Sequence, residues 1–342
     1  MFYQCPKCKK IWQYPIKKCP ECFSKPQRMS GSKFKVIGIS QVNTPTITHP
    51  IVPYFVLLLE DENGNRFVFK SVKEYKIGDE FKIDNFDNKD KVAIWRIKYD
   101  IKETIEKMFD FFDNITIKEN SKILILPTLI SPKHSYLAEN TSPLFIDNLI
   151  KYLISKGAKS ENITLAGQSF NNFPIEICVQ KSGLLDVCLK NNIQILDLSK
   201  DNFIDKNGLS IANIVFNSDI IINAPILKIG QNSSLENILK FLKKDFYLEH
   251  QQNQKDLIIN LVKTIPQFLT LADGSVIQKK NGFTTFLGIA IGSFNPFNLE
   301  RVFSEICMED SLTELVSDIK IEDIPVVGRN IKEIQYKVNE YI

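Results

Sequence analysis

KILILP, residues 122–127, is an apolar run closed by a proline, and it reads as a short strand buried on both faces. From here the chain alternates apolar runs with longer amphipathic segments. A helix is expected over 144–155, strands over 163–166, 193–197 and 219–223, and helices over 234–243 and 255–263. Strands over 267–272 and 286–292 and a helix beginning near Leu299 complete the series. Strand and helix in alternation imply a mostly parallel sheet covered by helices. Such sheets bind ligands at the carboxyl ends of their strands.

Upstream of residue 122 the rhythm is different. Short β-branched or aromatic runs at 34–39, 54–59, 66–70, 80–83 and 92–99 are separated by turn signals, which is strand character. Glu62-Asn63-Gly64-Asn65 carries the Asn-Gly dipeptide of a tight hairpin between the second and third runs. Five short strands fit a small barrel of the OB type. Over 101–112, Ile101, Ile105, Met108, Phe109 and Phe112 recur at helical spacing, which makes a connecting helix with one apolar face. The expected organisation is a zinc ribbon at 1–30, an OB-fold barrel at 31–99, a linker helix at 100–120 and an α/β domain at 121–342. The fold class is α/β with a small β domain.

The ribbon rests on Cys5-Pro6-Lys7-Cys8 and Cys19-Pro20-Glu21-Cys22, two Cys-x-x-Cys pairs separated by ten residues. Thiolates at this spacing meet as two knuckles around one tetrahedral ion. With Cys5, Cys8, Cys19 and Cys22 all supplied by protein, no coordination position stays open, so the ion is expected to be structural Zn2+. Iron is the alternative for the same cage. Cys178, Cys188 and Cys307 sit among apolar neighbours and read as buried thiols.

A length of 342 residues with 44% hydrophobic and 24% charged residues belongs to a globular chain of more than one core. No apolar signal-peptide core and no membrane-spanning run is present, so a cytoplasmic location is expected. The net charge of +3 hides an asymmetry: residues 1–100 carry 18 basic against 11 acidic side chains, and the remainder carries 25 against 29. In the first 35 residues, nine basic side chains face Glu21 alone, a charge suited to a phosphate-bearing cofactor, a nucleic acid or an acidic partner. No Walker loop, GxGxxG or Ser-His-Asp arrangement occurs, which removes the local support for nucleotidase, dinucleotide-dependent and hydrolase readings.

Residues 5–84 resemble the domain-of-unknown-function family 35, a zinc ribbon followed by an acyl-CoA-associated OB fold. The matching features are CPKC, CPEC, Ser30-Gly31, and PYFVLLLEDENGNRF ahead of KIGDEFKI. That resemblance implies an accessory subunit of a thiolase-like condensing enzyme and the handling of coenzyme A thioesters. Residues 122–336 resemble the domain-of-unknown-function family 362, through KILILPTLIS, Thr141-Ser142-Pro143, ITLAGQS, SDIIINAPILK, LADGS and SFNPFNLE. Against that family's pattern, Thr128 stands for an asparagine, Glu236 for a lysine, Phe283 for a proline and Asn295 for an aspartate. Lys228, Asn237, His250 and Asp273 keep matching positions, and Glu300 stands for a second aspartate.

Lys228 follows a buried strand, where it can grip a phosphate or carboxylate, and Asn237 joins it as a ligand-binding candidate. Asp273, His250 and Glu300 are the candidates for proton exchange. Asp273 also fits a turn before Gly274, and His250 a surface loop. The favoured function is an accessory or scaffold protein of acyl-CoA metabolism, binding a condensing enzyme, coenzyme A thioesters or both through the ribbon and barrel. An enzyme acting on an anionic small molecule in the α/β domain is the alternative. Nucleic-acid binding ranks third, because the strands lack a clear set of stacking aromatics beyond Tyr54, Phe67 and Phe69.

Overall fold

The computed structural model describes residues 3–12, 16–28, 33–46, 52–62, 64–71, 73–82, 89–97, 100–112, 115–171, 173–308 and 312–339. Ser30, Gly31, Asn63, Ile83 and Tyr99, which entered the expectations above, lie outside them. The chain divides into two compact units, Met1–Asn88 and Lys89–Ile342.

In the first unit, β1 (Tyr3–Gln4) pairs antiparallel with β2 (Ile11–Trp12) and β3 (Gln27–Arg28). A second sheet holds β4 (Lys33–Val42), β5 (Tyr54–Glu60), β6 (Arg66–Ser71) and β7 (Glu80–Lys82), in the order β6-β5-β4-β7 and antiparallel throughout. Alternating side chains of these strands bury Phe34, Val36, Leu57, Leu59, Phe67 and Phe81 on one face. The β5–β6 connection is wider than a two-residue turn: the Asp61 carboxylate accepts from Asn65 N and Nδ2 at 2.7 and 2.9 Å, with Gly64 at φ +74°.

The second unit runs β8 (Val92–Arg96), α1 (Ile101–Asp110), β9 (Ile123–Pro127), α2 (Pro143–Ser155), β10 (Ile163–Gly167), α3 (Ile175–Ser182), α4 (Leu184–Asn191) and β11 (Gln194–Asp197). A hairpin follows, β12 (Phe203–Lys206) with β13 (Leu209–Ala212), then β14 (Ile220–Ala224), β15 (Ile226–Lys228) and the helices α5 (Ser233–Ile238), α6 (Lys244–His250) and α7 (Gln254–Thr264). The chain ends with β16 (Leu269–Gln278), β17 (Thr284–Ser293), α8 (Pro296–Cys307), β18 (Val326–Gly328) and α9 (Ile331–Asn339). The large sheet has the order β11-β10-β9-β14-β16-β17-β8-β18, with β15 added beside β16. Pairings are parallel except β16–β17 and β17–β8, so the expected mostly parallel α/β sheet is present.

Two expectations are corrected. The run at 92–99 was assigned to the barrel, yet β8 lies in the large sheet between β17 and β18. Val92, Ala93 and Ile94 are all fully buried, so this strand needs cover on both faces, which a small barrel open to water on its outside cannot give. Here Val92 and Ile94 pack with Leu299, Val302 and Phe303 of α8, while Trp95, on the other face, meets Phe111 just after α1 with ring centres 6.1 Å apart. Second, Asp273-Gly274 is not a turn. β16 continues through it, with a register irregularity between Gly274 and Val276, and Gly274 is there because an added Cβ would lie 2.9 Å from Ile289 O on the neighbouring β17.

The topology fixes where a ligand cleft belongs. β9 has β10 on one side and β14 on the other, both parallel to it. The chain moves outward from β9 to β10 and β11, then returns to start again at β14. The connections therefore leave the carboxyl ends of β9 and β14 in opposite directions, which opens a crevice between them.

Candidate functional site

Among the described residues, two places gather chemistry-bearing side chains. In the first unit, Cys5, Cys8, Cys19 and Cys22 bring their Sγ atoms within 4.8 Å of one another. Cys5–Cys22, Cys8–Cys19 and Cys8–Cys22 are separated by 3.1, 3.5 and 3.8 Å. A tetrahedral thiolate cage with metal–sulfur bonds of ~2.3 Å has edges of about 3.8 Å, so the four sulfurs are spaced for one ion. The two knuckles repeat the same local fold. Lys9 N donates to Cys5 O at 3.0 Å and Phe23 N to Cys19 O at 2.9 Å, and Lys9 and Phe23 both take positive φ, 60° and 56°. The site can hold a metal ion, and its four protein ligands leave no position for substrate.

In the second unit, a cleft of about 280 Å³ opens at the crevice between β9 and β14. Its floor is the segment after β9, Thr128 to Ile130, and β15 supplies Ile226 and Lys228. One wall is the polar side of α5 and the 3-10 turn that continues it: Ser233, Glu236, Asn237 and Lys240 all line the cleft. Their spacing of three, four and seven residues puts them on one helical face. Phe170, Tyr247 and Gln254 close the rim.

Lys228 is buried. Its backbone N donates to Ser233 Oγ at 2.9 Å, and its Nζ makes no hydrogen bond or ion pair with the described residues. Glu139 and Glu236 act on the ammonium only from a distance, and Lys133 opposes them; burial pushes its pKa down. The Glu139 carboxylate is itself engaged by Ser131 and Lys133. Lys240 is also buried, with its Nζ donating to Leu129 O at 3.0 Å. Burial, aided by the Lys228 charge, lowers Lys240 to about 7. Glu236, on the same wall, is raised by burial toward its neutral form. An anion entering the cleft would meet two basic side chains that are already largely buried.

Of the residues singled out from sequence, Lys228 and Asn237 line this cleft and Asp273, Glu300 and His250 do not. Asn237 is committed to the protein: Nδ2 donates to Leu126 O at 3.0 Å and to Asn223 Oδ1 at 2.8 Å, and Oδ1 accepts from Thr128 Oγ1 at 3.2 Å. It pins α5 to the ends of β9 and β14. The Asp273 carboxylate, fully buried, accepts from Ser142 N at 3.1 Å and from Ser275 N and Oγ at 2.9 and 2.6 Å; it ties the start of α2 to β16. Glu300 on α8 accepts from Ser234 N at the start of α5. His250, expected in a loop, ends α6 instead, with Nδ1 2.8 Å from Phe246 O and its ring stacked on Phe246.

Lys240, Glu236 and Thr128 belong to the cleft and were not among the candidates. The signal was present in Ser233, Glu236, Asn237 and Lys240, a polar face at helical spacing. Sequence alone reads such a face as solvated.

Among the described residues, no helix is long and apolar enough to cross a membrane. The family model DUF362, described as domain of unknown function, matches residues 123–305. Among solved structures, a protein titled "Ltp2-ChsH2(DUF35) aldolase" shares 24% identity, covering 24% of this chain and 70% of that one, at a TM-score of 0.20. No curated protein matches.

Proposed function

The chain belongs to the DUF362 family, and from that premise we propose that its α/β unit is a binding site for a small anionic molecule, held in the β9–β14 crevice by Lys228. One observation carries this reading: a buried ammonium, free of any direct partner among the described residues, facing a cleft at the carboxyl edge of a parallel sheet. A buried cation without a counter-ion is costly. A carboxylate or phosphate in the cleft would supply that counter-ion. The groups considered for proton exchange support binding over acid–base work at this place, because Asp273 and Glu300 hold backbone N–H groups elsewhere.

Calorimetric titration of the full chain with inorganic phosphate, glyoxylate and coenzyme A tests the proposal. Binding of at least one of them, weakened about tenfold or more in Lys228→Met, is the expected result. Equal binding by both proteins, or none by either, overturns it.

For the first unit the reading is an accessory module: a ribbon stabilised by structural zinc, docking the chain on a thiolase-like condensing enzyme and drawing coenzyme A thioesters to its basic surface. Its support is the CPKC and CPEC knuckles and the excess of basic residues before residue 36. A pull-down from the native cytoplasm with mass spectrometry of bound proteins tests it. Absence of a condensing enzyme from the eluate, with no binding of coenzyme A, removes this part of the reading.

A further inference from the structure

We propose that Lys240 is a nucleophilic amine and that the anion held in the cleft is a small oxo acid, whose carbonyl group Lys240 captures as an imine. The inference rests on the anion-binding role of Lys228 and names the class of molecule that role selects.

The geometry comes first. Lys228 and Lys240 reach the same cleft of about 280 Å³ from different elements, β15 and the turn after α5. The Lys228 charge acts on Lys240, so the two nitrogens are near enough for one small molecule in the cleft to meet both. Lys240 is held at both its ends. Gln168, buried after β10, donates through Nε2 to the backbone carbonyls of Lys240 and Leu242, and Lys240 Nζ donates to Leu129 O. Nothing in this arrangement neutralises Lys240: among the described residues no carboxylate hydrogen-bonds its Nζ. Two buried lysines in one cleft, with no carboxylate hydrogen-bonded to either Nζ among the described residues, are a poor structural device but a recognised way to free an amine lone pair, since desolvation and a neighbouring cation both disfavour the ammonium. The lowering of Lys240 to about 7 follows from these same two causes.

The step balances within the site. The Nζ lone pair attacks the carbonyl carbon while the C=O π pair moves to oxygen. The two hydrogens of the neutral amine end in the water that leaves, and a C=N bond replaces C=O. Glu236, one helical turn before Lys240 on the same wall, is kept toward its protonated form by burial. It can give a proton to the departing oxygen and take one back from nitrogen. No oxidant or reductant is needed.

The test is reductive trapping on the full chain, with glyoxylate as probe and borohydride as reductant, read by intact mass and peptide mapping. Expected is a single carboxymethyl adduct on Lys240, absent in Lys240→Arg, with a half-saturating glyoxylate concentration that rises about tenfold in Lys228→Met. Labelling should rise with pH through about 7 as Lys240 loses its proton. The groups facing it are Lys228 from β15, Cys178 from α3, Glu236 from its own helix and Tyr247 from α6. Glyoxylate binding that depends on Lys228 in calorimetry, with no adduct on Lys240, overturns the imine and leaves the anion site standing. An adduct on Lys240 that is indifferent to Lys228→Met keeps the nucleophile and overturns the anion grip. Adducts scattered over surface lysines without Lys228-dependent binding overturn both.

Discussion

Asn237 Nδ2 lies 2.8 Å from Asn223 Oδ1, and this hydrogen bond helps fasten the helix that walls the cleft to the strand that ends beneath it. Asn223 completes the link by donating to Ser234 O at 2.9 Å and Thr270 Oγ1 at 3.3 Å. All of these groups are buried, so each bond that is lost strands a partner away from water. Asn237→Leu should cost about 2–4 kcal/mol, measured by urea unfolding. In a double-mutant cycle with Asn223→Ala the two losses should be strongly non-additive. Additive losses would mean that the two side chains do not act as a unit.

Glu300 gives the chain a pH dependence of a definite sign. Burial pushes its carboxyl up to about 7, against the opposing pull of the Ser234 N–H, while in the unfolded chain it titrates near ~4.3. Because the folded pKa is the higher one, the native state binds the proton more tightly. The stabilisation this provides is complete below pH ~4 and is lost as pH rises through about 7. Glu300→Gln keeps an oxygen to accept from Ser234 and removes the titration. The wild-type protein should therefore lose stability relative to this variant across that window, by at most about 4 kcal/mol, followed by denaturation at a series of pH values. A difference that stays flat with pH would show that the carboxyl titrates normally.

Gly274 lets β16 and β17 approach each other beside Asp273. A Cβ there would stand 2.9 Å from both Ile289 O and Ile289 Cγ1 and 3.2 Å from Leu227 Cδ1, and the backbone oxygen cannot move without breaking the ladder. Gly274→Ala should destabilise by about 2 kcal/mol or more. The same substitution at Gly282, at the β16–β17 hairpin tip, meets nothing within 4 Å and bears only its φ of +84°. A loss at Gly274 no greater than at Gly282 would contradict the close approach.

The parts that sequence made legible are those where one residue type does one thing. Two Cys-x-x-Cys pairs specify a cage whatever surrounds them, and KILILP specifies a doubly covered strand because no half-exposed strand tolerates it. β8 went to the wrong unit because VAIWR is equally good strand in a barrel or a sheet. Only its partners β17 and β18, nearly 200 residues or more away, decide between them. The cleft was half legible. Lys228 stands out as a charge at the end of an apolar run, but Glu236 and Lys240 share their helix with Leu235, Ile238 and Leu239, whose burial accounts for the amphipathic pattern. That the opposite face is buried too depends on the 3-10 turn carrying Lys240 under Gln168, a contact made across 72 residues.

The ribbon strands β1, β2 and β3 have two residues each, and the residues between them include only Tyr14, Ile16 and Phe23 as large apolar or aromatic side chains. Such a segment cannot fold on apolar burial alone, so the thiolate cage must supply the difference. Purified protein should carry a single zinc ion that a strong chelator removes while the freed cysteine thiolates take up protons, and Cys19→Ser should fail to retain it. Loss of the ion should open Lys7, Lys9, Lys10, Lys17 and Lys18 to trypsin, while peptides from 123–305 stay protected because no part of the cleft or its sheet includes a cage residue. Iron in place of zinc would announce itself by colour and by metal analysis. If the chelated chain resists trypsin across 5–28 as the loaded one does, the four cysteines do not hold the ribbon together.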